Sequence, residues 1–129
     1  MAALIYLDTH VVAWLFAGRL DLLPAGVRRL LDDSELLNSP AVELELEYLF
    51  EIRRTVKPGR EVVAALDREI GLKLCDLPFP QVIAAAVRQS WTRDPFDRLL
   101  VGQAAARAAP LLTRDDAIRR HYSQAIWSD

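Results

Sequence analysis

The chain has 129 residues, 52% of them hydrophobic and 26% charged, which is one ordinary globular domain (residues 1–129) and far from the composition of a disordered chain. No apolar run approaches the roughly 20 residues of a membrane span, and no basic segment precedes the first apolar run, so the sequence predicts a cytoplasmic protein with neither anchor nor secretion signal. Cys75 is the single cysteine, which excludes an internal disulfide and a cysteine-built zinc site.

Residues 3–7 form a short strand-like apolar run ended by Asp8. Asp8 or Thr9 can cap the apolar stretch Thr9–Phe16 as a helix, with Gly18 as the stop. Pro24 opens a second helix through Val27, Leu30 and Leu31, and Glu35 to Asn38 read as a strand. Ser39-Pro40 is a helix start with proline near the first position. The alternating stretch Val42 to Tyr48 mimics a strand, but extending the window to Arg54 favours a helix. At about 100° per residue, Val42, Leu46, Leu49 and Ile52 share one arc, and Glu43, Glu47, Glu51 and Arg54 the opposite one. Glu45 alone among the acids falls in the apolar arc.

Pro58-Gly59 breaks the chain before an amphipathic helix from Val62 to Ile70. Leu72 to Cys75 read as a strand and Gln81 to Ser90 as an alanine-rich helix. A further helix runs from about Pro95 to Ala108. On its wheel Leu100, Val101, Ala104 and Ala108 lie within about 60° of Asp97, which centres Asp97 on an apolar face. Leu111 to Thr113 form a short strand, Asp115 to Tyr122 a helix, and Ala125 to Trp127 a last edge strand. Short strands alternating with helices imply an α/β fold with a parallel sheet covered on both faces, whose sites gather at the carboxyl ends of the strands.

Four carboxylates therefore interrupt apolar structure: Asp8 and Asp115 at strand ends, Glu45 and Asp97 on inward helix faces. Each alone has an ordinary explanation. Asp8 is a helix cap, Glu45 snorkels from a helix edge, Asp97 pairs with Arg93 or Arg98, and Asp115 complements a helix dipole. Asp94, just before Pro95, reads as a cap. Together they are harder to dismiss, because an ionised carboxylate removed from water costs several kcal/mol unless compensated. Four converging acids repel one another, and a divalent cation is the usual remedy. His10 and His121 lack paired metal-ligand spacing and read as ordinary helix residues. Trp14, Trp91 and Trp127 are scattered and read as packing, and Arg119-Arg120 as a solvated face. No glycine-rich phosphate loop is present.

The net charge is −2, and setting the four acids aside turns it to +2; 14 of the 16 basic residues are arginines, whose fork suits phosphate. That balance permits a nucleic-acid substrate without arguing for one, since a GC-rich genome also favours arginine.

Asp8-Thr9-His10 at the first strand's end, Glu45 in the third helix, the run from Arg93 to Leu100 and Thr113-Arg114-Asp115 resemble, in order and spacing, the motifs of PIN-domain nucleases, and in particular the VapC-type toxins of bacterial toxin–antitoxin modules. The resemblance covers nearly the whole chain. It implies a three-layer α/β/α sandwich with a short-stranded, mainly parallel central sheet, and a metal-dependent endoribonuclease held inactive by a cognate antitoxin. It further implies a homodimer and higher toxin–antitoxin assemblies. On that pattern Asp8 and Asp97 are the principal Mg²⁺ or Mn²⁺ ligands. Glu45 and Asp115 complete the metal-binding, catalytic pocket, and Thr113 orients it. Glu43 and Glu47 also lie near the expected acid, and the helical wheel selects Glu45; Asp94 stands close enough to Asp97 to share the site.

Other readings fit less well. A phospho-receiver domain wants an acidic pair after the first strand and a lysine near the end, yet Leu7 and Thr9 flank Asp8 and no lysine follows Lys73. A dehalogenase-like phosphatase wants a second Asp where His10 stands. A PIN nuclease of RNA processing or DNA repair, without toxin function, remains the main alternative.

Overall fold

The computed structural model describes residues 3–128. Its elements follow the predicted order: β1 (Leu4–Leu7), α1 (Thr9–Phe16), α2 (Ala25–Asp33), β2 (Glu35–Asn38), α3 (Pro40–Glu51), α4 (Gly59–Ile70), β3 (Lys73–Leu74), α5 (Phe79–Val87), α6 (Pro95–Ala106), β4 (Leu111–Leu112), α7 (Asp116–His121) and β5 (Ala125–Ile126). A 3₁₀ turn at Leu20–Leu22, which the sequence did not suggest, joins α1 to α2.

The strands pair in the order β3-β2-β1-β4-β5, and every pairing is parallel. Helices cover both faces: α1, α3 and α4 pack together, as do α5 and α6. The central strand β1 is nearly all apolar, with Ile5, Tyr6 and Leu7 buried, as a strand covered on both sides must be. From β1 the chain builds outward through β2 to β3, then returns to add β4 and β5 on the other side. The topological switch point therefore lies between β1 and β4, and in open α/β sheets ligands bind at the carboxyl end of that crevice. Asp8 follows β1 there, and Thr113 to Asp115 follow β4.

The caps explain the helix starts. The Asp8 side chain accepts from the Thr9 amide, Ser39 Oγ from Ala41, Asp94 from Phe96 and Asp97, and Asp115 from Ile118. Asp115 is thus the cap of α7 and not its first residue. Close helix packing needs two glycines. A Cβ on Gly102 of α6 would lie 2.7 Å from the Ala86 amide nitrogen of α5, and one on Gly59 would lie 2.3 Å from the Glu43 carbonyl of α3.

Three expectations from the helical wheels require correction. Helix α6 stops at Ala106, and Ala108 is exposed with φ of 52°. The Ala109 amide reaches back to the Ala104 carbonyl in a Schellman-type turn, so Ala108 leaves the apolar face to let the chain enter β4. Helix α3 likewise ends at Glu51, which leaves Ile52 45% exposed. Glu47, assigned to the solvent arc, is half-buried, and its Oε1 accepts from the Gly59 amide at 3.0 Å, closing the start of α4. The packing of α4 against α3 overrides the wheel there.

Candidate active site

Asp8 is only 5% exposed, and its carboxylate is held on three sides. Oδ1 accepts from the Thr9 amide at 2.7 Å, and Oδ2 accepts from the Thr113 hydroxyl at 2.5 Å and lies 3.2 Å from His10 Nδ1. Thr113 Oγ1 also accepts from the Asp115 amide at 3.0 Å, so one buried hydroxyl ties the end of β1 to the loop after β4. Thr9 acts similarly on the other side, donating its hydroxyl to Glu45 Oε1 at 2.5 Å. Two threonines thus link Asp8 to Asp115 and to Glu45. The motif resemblance already points to Thr113. The sequence pattern marks Thr9 only as a cap and does not show its burial beside Asp8.

Asp97 completes the group. Its carboxyl is raised from an ordinary 3.8 to about 7, by burial first and then by the negative charges of Asp94, Asp8, Asp115 and Glu45. All four named acids are therefore gathered within electrostatic reach of Asp97. Pairing with arginine does not explain it: Arg98 donates to the Ala86 and Val87 carbonyls, and Arg93 to those of Ser90 and Thr92. Glu45 is also raised, by burial chiefly and by Asp8 and Asp94, against the bond from Thr9. Asp8 is raised by burial, partly offset by His10, Thr113 and Thr9, with Asp115 pushing it further up. Asp94 is exposed, and its Oδ1 is engaged in capping α6, 2.8 Å from the Phe96 amide and 3.3 Å from that of Asp97. It contributes field, with its near oxygen already committed.

Among the described residues no three carboxylate, imidazole or thiol groups stand close enough to grip one ion between them. The acids converge but remain apart, as repelling charges do. The donor set still fits a hard divalent cation: it is all oxygen, strongly anionic and short of cationic partners. Mg²⁺ characteristically binds through one or two carboxylates and keeps several waters, so it does not need a closed cage.

The opposite rim of the site is aromatic and basic, built from residues whose scattered positions in the sequence give no sign that they meet. Arg114 donates its amide to His10 Nε2 at 3.2 Å, leaving the ring proton on Nδ1 to face Asp8. The His10 ring lies 4.9 Å from that of Trp14, and Trp14 lies 6.1 Å from Trp127. The Arg114 guanidinium sits 5.9 Å above the Trp14 ring. His121, by contrast, stacks on Trp91 as an ordinary surface pair.

Comparison with known proteins sets this geometry in a family. The sequence model of the PIN domain matches residues 5–123. No curated protein matches the chain. Among solved structures, a chain of VapBC2 from Rickettsia felis, bound to a DNA fragment from its promoter, superposes with a TM-score of 0.65 at 16% identity, over 97% of this chain and 99% of that one. A chain of FitAcB from Neisseria gonorrhoeae gives 0.49 at 16% identity, over 96% of each.

Proposed function

Because the chain belongs to the PIN-domain family, whose members are generally nucleases, we propose that it is a Mg²⁺- or Mn²⁺-dependent endoribonuclease acting as the toxin of a toxin–antitoxin pair. The observation that carries the catalytic reading is the Asp97 carboxyl, lifted to about 7 by burial and by the charges of four neighbouring acids. Asp8 and Asp97 are the principal metal ligands in this reading, with Glu45 and Asp115 completing the pocket. When bound there, a divalent ion supplies an activated water, charge relief on the leaving oxygen and a point of attachment for the scissile phosphate.

The residues of the chain do the positioning. Thr113 and the Thr9 amide fix the orientation of Asp8, and His10 holds its Oδ2 from the third side. The Thr9 hydroxyl keeps Glu45 turned toward the centre rather than out to solvent. The Asp115 amide bond to Thr113 closes the loop after β4, so the two strand ends move as one piece. None of these acids is required as general base.

The toxin assignment rests on the ordered motifs, and the fold shared with a chain solved as part of VapBC2 supports it. The antitoxin lays an apolar segment along the surface around residues 42–52 and 62–70, where Leu44, Tyr48, Ile52 and Ile70 are exposed, and extends a basic side chain toward the four acids. A homodimer is part of the same reading. A cytoplasmic place of action belongs to the same proposal; no helix among the described residues is long and apolar enough to cross a membrane.

The decisive experiment has two readouts. Calorimetric titration of the purified chain with Mg²⁺ or Mn²⁺ should show binding that Asp8→Asn and Asp97→Asn each remove, and labelled RNA should be cut only with metal and only by the unaltered chain. Undiminished metal-dependent cleavage by both variants would defeat the site assignment. Expression alone should arrest growth, with rescue by the adjacent small gene; harmless expression of an active nuclease would point instead to RNA processing or DNA repair.

A further inference from the structure

The four residues on the basic and aromatic rim come from three places in the chain: His10 and Trp14 from α1, Arg114 from the loop after β4, and Trp127 from just beyond β5. His10, Trp14 and Arg114 line, with Asp115, an open groove of about 280 Å³, and Trp127 stands behind Trp14 outside that lining. Trp14 and Trp127 pack one side against the hydrophobic core and leave the other open. The rings of His10, Trp14 and Trp127 are only half-buried, and Arg114 is exposed and makes none of the ion pairs found among the described residues. Asp115 belongs both to this groove and to the acidic centre, so a ligand seated here lies directly beside the reacting carboxylates.

Groove size and chemistry select the ligand. The volume falls just short of the roughly 300 Å³ at the low end of pockets that enclose whole small molecules, which suits a single flat group. Aromatic faces backed by an arginine plane are what single-stranded nucleic acid uses to hold an unpaired base. The Arg114 guanidinium already lies 5.9 Å from the centre of the Trp14 ring, so a base entering between them shifts this exposed side chain outward. Net repulsion by the acids would keep RNA away from this side of the molecule unless some contact insensitive to charge held it, and stacking is such a contact.

We propose that His10, Trp14, Arg114 and Trp127 form a stacking platform that receives one unpaired base of the RNA next to the scissile phosphate. The proposal rests on the ribonuclease reading above. Trp14 is the platform itself, Arg114 covers the base from the solvent side, and His10 and Trp127 hold the Trp14 ring upright. In this arrangement Trp14 is a positioning residue that sets which phosphate reaches the acids.

The test uses the full-length unaltered chain in a metal chelator, which stops turnover, with fluorescein-labelled oligouridylates in which single positions are made abasic in turn. Stacking is worth about 1–3 kcal/mol per base, so one abasic position should weaken binding by about 5- to 150-fold. Trp14→Leu should weaken binding of intact RNA by a similar factor and have no further effect on the RNA abasic at that position, a pattern of non-additivity that mere structural damage does not produce. Trp14→Tyr should restore most of the affinity. Arg114→Gln, at an exposed position safe for folding, should cost a smaller factor on intact RNA and nothing on the abasic one. Equal losses on intact and abasic RNA, or no loss from Trp14→Leu and Arg114→Gln, would overturn the platform while leaving the nuclease reading standing. Binding of single-stranded DNA alone, with the same dependence on Trp14, would keep the platform and overturn the ribonuclease reading. Binding of neither would overturn both.

Discussion

Two polar clusters lie on the same face of the same sheet and behave in opposite ways. In β1 the period of two points Tyr6 and Asp8 to one side. Around Tyr6 the uncharged groups bond one another: its hydroxyl lies 2.8 Å from Cys75 Sγ, and Ser39 Oγ donates to Gln103 Oε1 at 2.9 Å, all of them buried, while the Nε of the neighbouring Arg107 is buried without a partner. Around Asp8, one step further along the strand, the groups are acids that raise one another's protonation. The Cys75 thiol shows the contrast. Its burial pushes the pKa up, yet hydrogen bonds from Tyr6, the Leu77 amide and Gln103, with the charge of Arg107, bring it below its ordinary value. The hydroxyls, thiol and amide of the first cluster find their partners within the chain. The acidic one does not, and an arrangement that costs stability without internal compensation is what a ligand site looks like.

The largest effects should come from neutralising the acidic cluster. Asp8→Asn and Asp97→Asn should each reduce RNA cleavage by more than about a hundredfold, beyond the loss typical of changes to residues that only support a metal ligand, while the circular dichroism spectrum stays native. In metal-free buffer both should melt at a higher temperature than the parent, because repulsion is relieved. A lower melting temperature for both would mean that the acids stabilise the fold, and the contrast with the Tyr6 cluster would collapse.

Next in size is the test of register along α3. Glu45→Gln should sharply lower turnover. Glu43→Gln should be near neutral, whereas Glu47→Gln should cost stability by about 1 kcal/mol or less, through its bond to the Gly59 amide, without touching the rate. Denaturant melts and initial rates on the three variants separate these outcomes. A rate loss at Glu43 or Glu47 equal to that at Glu45 would show the acidic centre to be wrongly drawn.

The neutral cluster should answer in stability alone. Tyr6→Phe leaves Cys75 without its hydroxyl partner and should cost about 1 kcal/mol, read from the denaturant midpoint, with the specific activity of the folded protein retained. A rate loss comparable to that of Glu45→Gln would make this cluster part of the site.

The smallest effect is a pH dependence of the metal-free chain. Between an ordinary 3.8 and about 7 the folded protein holds a proton on Asp97 that the unfolded chain has released. Raising the pH through that window therefore lowers stability, and Glu45 and Asp8, also raised, act in the same direction. Melting temperatures in a metal chelator should fall from pH 5 to pH 8, and Asp97→Asn should flatten the slope. Saturating Mg²⁺ should do the same to the parent, since the cation replaces the proton as the compensating charge.

Much of the fold was legible locally because its signals are local. Ser39-Pro40 and Asp94-Pro95 start helices wherever they occur in a chain, since a side-chain oxygen two or three residues from an unpaired amide needs no tertiary help. The four acids stood out for a similar reason: a carboxylate on an apolar arc conflicts with its neighbours in sequence, and the conflict is visible without coordinates. Tertiary structure decided what depends on contacts across the chain. Glu47 turned inward because α4 delivers the Gly59 amide to it, and Ala108 left its helix because β4 had to be reached in two further residues. Thr113 bonds Asp8 across 105 residues, and Trp127 reaches Trp14 only because β5 adds beside β4 at the sheet's edge. Spacing along a helix or strand carries no information about which strand pairs with which. The acids of this protein could thus be picked out in sequence, while the company they keep was settled by the order of the strands.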